Sequence, residues 1–514
     1  MAMRLAPPYI LVKEGKMWIY GGANRIAICL LLDNGNMTNV NWPSAAPTQI
    51  RAQSVSSRAG STIVAVTQGD KDLATFTIPT ALRESQNLLN ALEDEYVNVQ
   101  LHTGSAGQPT DYSGANFGLG WVLCLRQPGT TAEVGRADNA GEGIQVPIEF
   151  PFAAVLGPIP IDWSARLERN TLITETETMT DVFTLPTLKD QDHGARVLPG
   201  QVGMLVADSA VGPALAGIYY FSDGLRTAPT ACAADPFGAG VGCESVVGFG
   251  DKRNHRYIVA AELQAGVAPA GSYTDDDGTT WNAFNFGAVV GDTCTRLWIV
   301  HAGRIYGCGG QAGSSKLWYS TDQGASWTEV DPGLAQPLND IQVMVDGIGY
   351  AVGDANVICK ITNWDQVSTL TGPAGGAGDA NLAVAIKVTT GELYVGNDAG
   401  ELYHSDDEGA TWNTVTANIQ GITATQVDHI EFDMTGEYGF MVCTTAADVV
   451  TLRTTDRGAS WREYDLGDGS SVANIAKHGL HVYGPNDCFV VGAASGGTAV
   501  VDEVTTDFDG KRQV

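Results

Sequence analysis

Residues 320–327 read S-T-D-Q-G-A-S-W and follow directly on a short apolar run at 317–319. The same template returns at 274–281 (T-D-D-D-G-T-T-W), 405–412 (S-D-D-E-G-A-T-W) and 454–461 (T-T-D-R-G-A-S-W). The shared pattern is Ser/Thr-x-Asp-x-Gly-x-Ser/Thr-Trp. Its anchors are Thr274, Asp276, Gly278 and Trp281; Ser320, Asp322, Gly324 and Trp327; Ser405, Asp407, Gly409 and Trp412; Thr454, Asp456, Gly458 and Trp461.

The residue types explain one another. The carboxylate and the leading hydroxyl can accept backbone N–H bonds inside their own turn. The glycine sits where a positive φ is needed, which costs little without a Cβ. The tryptophan starts the next strand and can bury an indole face beneath the loop. A repeated carboxylate also raises metal binding or catalysis, but local bonds use up its capacity, so the motif reads as a structural clasp.

The four aspartates are 46, 85 and 49 residues apart, and 85 is about twice a four-stranded propeller blade. A decayed copy therefore belongs near 364, and 357–365 (V-I-C-K-I-T-N-W-D) fits, with the glycine lost. Further decayed copies lie at 218–224 (I-Y-Y-F-S-D-G) and 504–510 (V-T-T-D-F-D-G). An apolar strand precedes each of the seven, at 204–207, 257–260, 304–308, 350–353, 393–396, 439–443 and 488–492, with the small and bulky mixture that suits crowded inner strands.

On these residues the region resembles the Asp-box, or BNR-repeat, family of sialidases, sortilin-type receptors and photosystem assembly factors. The resemblance implies a β-propeller over 172–514, of seven blades, with six the alternative. Only four residues follow Gly510, so the outer strand of the last blade is expected to be missing or truncated. A strand from the start of the domain is expected to close the ring, and 173–185 is a β-prone candidate.

The chain has 514 residues, enough for two or more domains, and 44% hydrophobic content is ordinary for a globular protein. Its net charge of −29 is uneven: residues 1–165 hold 10 Lys/Arg against 14 Asp/Glu, leaving 19 against 44 beyond. An acidic propeller surface favours solubility and repels nucleic acid and anionic membranes. The first 20 residues contain no uninterrupted apolar stretch with a cleavage site, so cytoplasmic synthesis and no membrane insertion are expected. Most of the nine cysteines lie in apolar strands and read as buried small hydrophobes. Cys232 and Cys243 share one Gly/Pro-rich loop, where a bridge and two separate thiols are both open readings.

Residues 1–165 differ from the repeats. Strands are expected at 16–22, 25–32, 61–68, 73–78, 96–102, 118–126 and 144–156, with a helix at 81–93 capped by Thr80. The polar stretch 38–60 is too long for a connector, and is either a functional loop or an extended hairpin. This order resembles the tail-tube fold of tailed bacteriophages and secretion-system tubes, a β-sandwich or barrel carrying one helix. The resemblance implies self-association into rings and stacked tubes with other virion proteins, and a virion (tail) location. Residues 166–171 are then a linker.

Chemistry is sparse. Sialidases need an arginine cluster, a Tyr/Glu nucleophile pair and an acid/base Asp; their Arg-Ile-Pro entry motif is absent, and Arg253, Arg256, Arg296, Arg304, Arg453, Arg457 and Arg462 show no evident convergence, Arg457 facing solvent within its box. No catalytic pair of carboxylates can be named among 58 acidic residues. No metal-ligand spacing, phosphate loop or dinucleotide fingerprint is present, and no cofactor is expected. The reading is a non-enzymatic virion tail-tube subunit displaying an acidic propeller, with a glycan or host-surface ligand held by aromatics such as Tyr273, Trp364 or Tyr403. It makes no sequence-specific nucleic-acid contact. The alternative is a carbohydrate-binding or sialidase-like glycoside hydrolase propeller.

Overall fold

Short apolar strands separated by polar turns cannot bury themselves singly; arranged face to face around an axis, they share a core. The computed structural model describes most of residues 178–505, with its longer breaks at 190–195, 209–216 and 464–475, and before residue 178 it describes the strands alone. The chain forms two compact units, and the second contains the whole of Asp162–Val514. The helix expected at 81–93 lies outside the described residues.

The second unit is a seven-bladed β-propeller. Six blades are sheets of four antiparallel strands built from consecutive chain, with the innermost strands Met179–Thr184, Cys243–Gly250, Thr293–His301, Leu338–Val343, Asn381–Ile386 and Ala424–Phe432; the sixth adds Ile419–Gln420, parallel to its outer strand Trp461–Glu463. The seventh is made of Ala476–Gly484, Asp487–Ala493, Ala499–Thr505 and, from the other end of the domain, Arg166–Arg169. Innermost strands touch their neighbours all the way round, and Ala476–Gly484 meets Met179–Thr184 to complete the ring.

Ring closure by an early strand is therefore realised, but not by the strand the sequence suggested. The expected closing stretch, 173–185, supplies the innermost strand of the first blade. Arg166–Arg169, assigned to the linker, runs antiparallel to Ala499–Thr505 as the fourth strand of the last blade, pairing Leu167 with Val504. The physical reason is geometric: the edge of Ala499–Thr505 left open at the rim needs an outer partner, whereas the apolar pattern of Met179–Thr184, almost wholly buried, belongs at the axis. The decayed copies at 218–224 and 357–365 occupy third strands, at Ile218–Phe221 and Val357–Thr362. Of 504–510, only the start falls within a described strand.

Each innermost strand carries an irregularity that the sequence did not announce. The ladder register shifts around Thr180, Glu244, Thr295, Asn339, Leu382, Asp428 and His478, in every blade, and the third, sixth and seventh carry a second shift around Val300, Thr425 and Tyr483. A bulge adds a residue, bends the strand and re-aims the side chains beyond it. Those side chains include Asp181, Ser245, Arg296 and Asp340, which reach adjoining blades. Between blades the core is continuous: Val300, Tyr306 and Leu317 of the third pack with Leu338, Ile341 and Ala351 of the fourth. Each such side chain contributes about 1.5–3 kcal/mol by leaving water.

The first unit contains an antiparallel sheet of seven strands. Its order is Ile26–Leu31, Gly15–Gly21, Tyr96–Thr103, Gly118–Arg126, Ile148–Ile159 and Leu73–Ile78, with Thr131–Ala132 added beside Ile148–Ile159. A separate hairpin pairs Pro47–Ala52 with Thr62–Gln68, so the hairpin reading holds for part of the stretch 38–60.

Candidate functional site

The most repeated chemistry is the box, and in each copy it joins a third strand to a fourth. At 320–327 the Ser320 hydroxyl donates to Asp322 Oδ1 (2.8 Å) and accepts from the Gly324 N–H (2.8 Å). Asp322 Oδ1 also accepts the Ser326 N–H (2.9 Å), and Oδ2 accepts the Ser326 hydroxyl (2.6 Å). The same four bonds surround Asp276 with Thr274, Gly278 and Thr280, Asp407 with Ser405, Gly409 and Thr411, and Asp456 with Thr454, Gly458 and Ser460. Both carboxylate oxygens are thus engaged within the turn. At Asp276 and Asp322 burial pushes the carboxyl up, and the hydroxyl and N–H donors outweigh it, holding it below its usual range.

The glycines have φ of 77–83°, and the residues before them, Asp277, Gln323, Glu408 and Arg457, are also at positive φ, 56–63°. With the bond from the Ala325 N–H to Asp322 O, two consecutive left-handed residues make a type I′ turn, whose twist matches that of the flanking strands. This left-handed residue ahead of each glycine was not visible in the sequence, because its identity varies freely. Arg457, expected to face solvent, is half-buried.

The same turn joins blades. The carbonyl of that left-handed residue accepts a bond from the preceding blade: Tyr350 Oη to Glu408 O (3.2 Å), Tyr394 Oη to Arg457 O (3.0 Å), Arg256 to Gln323 O (3.1 Å) and Cys232 Sγ to Asp277 O (3.5 Å). In the decayed fourth blade Tyr306 Oη still donates to Trp364 O (2.8 Å). Two box tryptophans add to the seam, Trp281 Nε1 donating to Ala234 O (3.0 Å) and Trp412 Nε1 to Thr371 O (3.1 Å). Trp327 donates instead to Gly324 of its own box (3.2 Å), and Trp461 is fully buried.

A second polar system lies at the axis. Asp181 accepts from the Val182 N–H (2.9 Å) and, across the seam, from the Ser245 hydroxyl (2.6 Å) and the Val246 N–H (3.0 Å). Ser245 Oγ accepts the Leu297 N–H of the third blade (3.1 Å), and Asp340 and Gln342 of the fourth accept Val384 and Ile386 N–H of the fifth (2.9 and 3.0 Å). Glu431 of the sixth accepts the Val482 N–H of the seventh (3.1 Å), and His481 Nε2 lies 3.0 Å from the Thr184 hydroxyl of the first. Side chains thus pair the edge N–H groups that a circle of diverging inner strands leaves open.

Arg296 brings a cation to this ring, with Nη1 2.9 Å from Asp181 Oδ1 and Nε 3.7 Å from Asp340 Oδ1. Burial opposes its charge, but Asp181, Asp340 and Glu431 outweigh this and raise its pKa. Burial pushes Asp340 up to about 6, against the pull of Arg296 and the Val384 and Ile341 N–H groups. The small cavity bordered by Asp181, Arg296, Glu431 and His481 has room for about one water molecule, far less than a sugar ring requires.

Other expected features are dispersed. Tyr403 is buried, because its strand packs between its neighbours, and one face of the Tyr273 ring is covered by Arg256, 4.0 Å from its centroid. Arg256 pairs with Asp275 (2.6 Å), Arg453 lies over Tyr438 and Phe440, and Arg296 is axial, each at a different seam. Cys232 and Cys243 are buried thiols without a disulfide, and burial, then Asp277 and Asp276, push Cys232 up to about 12. Among the described residues no group of three His, Cys, Asp or Glu is placed to hold a metal ion.

No protein-family model matches the chain, and no curated protein matches it. Solved structures with a similar fold include YCF48 bound to D1 peptide, at 14% identity and a TM-score of 0.48, covering 68% of this chain and 97% of that one. YCF48 from Cyanidioschyzon merolae is 15% identical with a TM-score of 0.45, covering 66% and 99%. Raptor from Chaetomium thermophilum is 10% identical with a TM-score of 0.46, covering 67% of this chain but 29% of its own. The blade count rests on the strand pairing of the chain itself.

Proposed function

We propose that this chain is a structural assembly protein, a tail-tube subunit of a tailed bacteriophage whose N-terminal sheet unit polymerises into stacked rings with other virion proteins and whose propeller is displayed as a rigid platform. The observation that carries the reading is where the propeller spends its repeated carboxylates. Box aspartates hold their own turns, and axial Asp181, Asp340 and Glu431 hold the edges of neighbouring blades. That is the chemistry of a scaffold. The separate seven-stranded sheet ahead of it supports an assembly role, since sheet units with open edges join by strand addition.

Negative-stain electron microscopy of the purified full chain tests the proposal. Rings or tubes bearing peripheral globules are expected. Single particles under every assembly condition tried, including high protein concentration and low salt, would remove the reading.

A further inference from the structure

In a chain of net charge −29, cations find acids easily. Arg256 holds Asp275, Lys316 holds Glu329, Lys360 holds Glu408, Lys387 holds Glu392 and Arg296 holds Asp181. Arg304 has no acidic partner among the described residues. It opens the second strand of the third blade, on the box side, with its guanidinium carbon 5.6 Å from the Tyr319 ring centroid and 5.2 Å from that of Trp364. Its Nη1 is buried without a hydrogen-bond partner among the described residues. An unmade bond at a buried charged donor costs more than a neutral one, so the group calls for an acceptor from outside.

Two neighbours point the same way. His301 faces Arg304 across a two-residue hairpin, and its Nδ1 lies 3.0 Å from the Gly303 N–H, which donates to it. The proton of the neutral ring is therefore on Nε2, a donor with no acceptor among the described residues. Burial and the nearby guanidinium lower the pKa of His301, which keeps that neutral donor form. Trp364 holds the place of the left-handed residue that precedes glycine in the intact boxes, its carbonyl taking the Tyr306 bond, and it has a left-handed backbone, φ 76°, after Asn363 at 50°. A left-handed tryptophan is costly. What it gains is position: its indole lies against Gly347, where any Cβ would come within 2.8 Å, and walls one side of Arg304 while the His301 ring meets it edge-on at 6.1 Å.

We propose that His301, Arg304 and Trp364 form an oxyanion-binding site at the seam of the third and fourth blades, taking a carboxylate, sulfate or phosphate group of a small ligand. The planar guanidinium is held by aromatic walls with donors left over, which is how arginine recognises such groups. The site rests on these residues alone and holds whether or not the N-terminal unit assembles.

The test is thermal unfolding of the full chain titrated separately with glucuronate, sulfate and phosphate. A saturable rise in the propeller transition is expected with at least one, its identity separating planar from tetrahedral anions. Arg304→Gln should weaken the apparent affinity at least about tenfold, and Arg304→Lys should weaken it less. Arg256→Gln, which removes a paired arginine, should leave it unchanged. Should Arg304→Gln fail to fold, Arg304→Lys and His301→Ala decide, each with reduced affinity expected. No saturable shift with any anion, or equal shifts in the wild type and the Arg304 variants, would overturn the proposal; so would an unchanged response in all of them, the mark of general salt stabilisation.

Discussion

The rim and the axis of the propeller both rely on carboxylates, and they use them in opposite ways. Asp322 at the rim finds its hydroxyl and N–H partners within the same eight residues. At the axis, Asp181 binds Val246 and Asp340 binds Val384, in each case on the next blade and distant in sequence. The rim clasp is complete before the blade has neighbours, whereas the axial bonds form only when blades pack on one another, and the contact of His481 with Thr184 only when the ring closes. Local elements form early and at low entropic cost; the ring must close many residues of chain before its bonds reward it. Breaking one should loosen a turn, and breaking the other should loosen the circle.

The largest effect is expected from Arg296→Met. It removes the guanidinium that faces Asp181, Asp340 and Glu431, and breaking a buried pair costs about 3–5 kcal/mol. Urea denaturation of the propeller should show it, and adding Asp340→Asn should recover part of the loss. An effect no larger than that of a rim variant would erase the distinction between axis and rim.

Acidity separates the two regions by sign. Asp340 is raised from 3.8 to about 6 by burial, so the folded chain holds its proton more tightly than the unfolded one. Its stabilising contribution is complete below about pH 4 and is lost as pH rises through about 6. Asp276 and Asp322 are lowered, so theirs is present above the ordinary carboxylate value and is lost as pH falls through their folded values. The propeller melting temperature of Asp340→Asn, followed from pH 4 to 6.5, should therefore decline less than that of the wild type. Parallel curves would contradict the assignment.

At the rim, Asp322→Ala should cost about 1–2 kcal/mol, the net worth of a few exposed hydrogen bonds. Hydrogen exchange should quicken in 320–327 and not across the axis. Smallest of all, Trp364→Gly trades left-handed strain against the indole packed on Gly347 and Arg304, and the two should cancel to within about 1 kcal/mol in the same denaturation experiment.

The same contrast explains what the sequence revealed. Boxes were legible because every partner of Asp322 sits inside the motif, and even the decayed turn at Trp364 kept its register. Strands such as 73–78 and 118–126 were legible from alternation. The axial ring was not, because Asp181, Ser245, Arg296, Asp340, Glu431 and His481 share neither residue type nor motif; only the bulges place them at related positions. Lone polar residues in otherwise apolar inner strands were the available hint. The free donors of His301 and Arg304 were invisible for a related reason: a missing partner leaves no mark in a sequence. The closing strand was misplaced because Arg166–Arg169 is short and charged, and its pairing with Ala499–Thr505 is a contact between the two ends of the domain.

That strand offers the most direct test of the seven-bladed ring. Hydrogen–deuterium exchange of the intact chain should find amides in 166–169 protected, and released together with those of Ala499–Thr505 as denaturant is added. Exchange of 166–169 at the rate of an open linker, while Ala499–Thr505 stays protected, would contradict the closure and with it the fourth strand of the last blade.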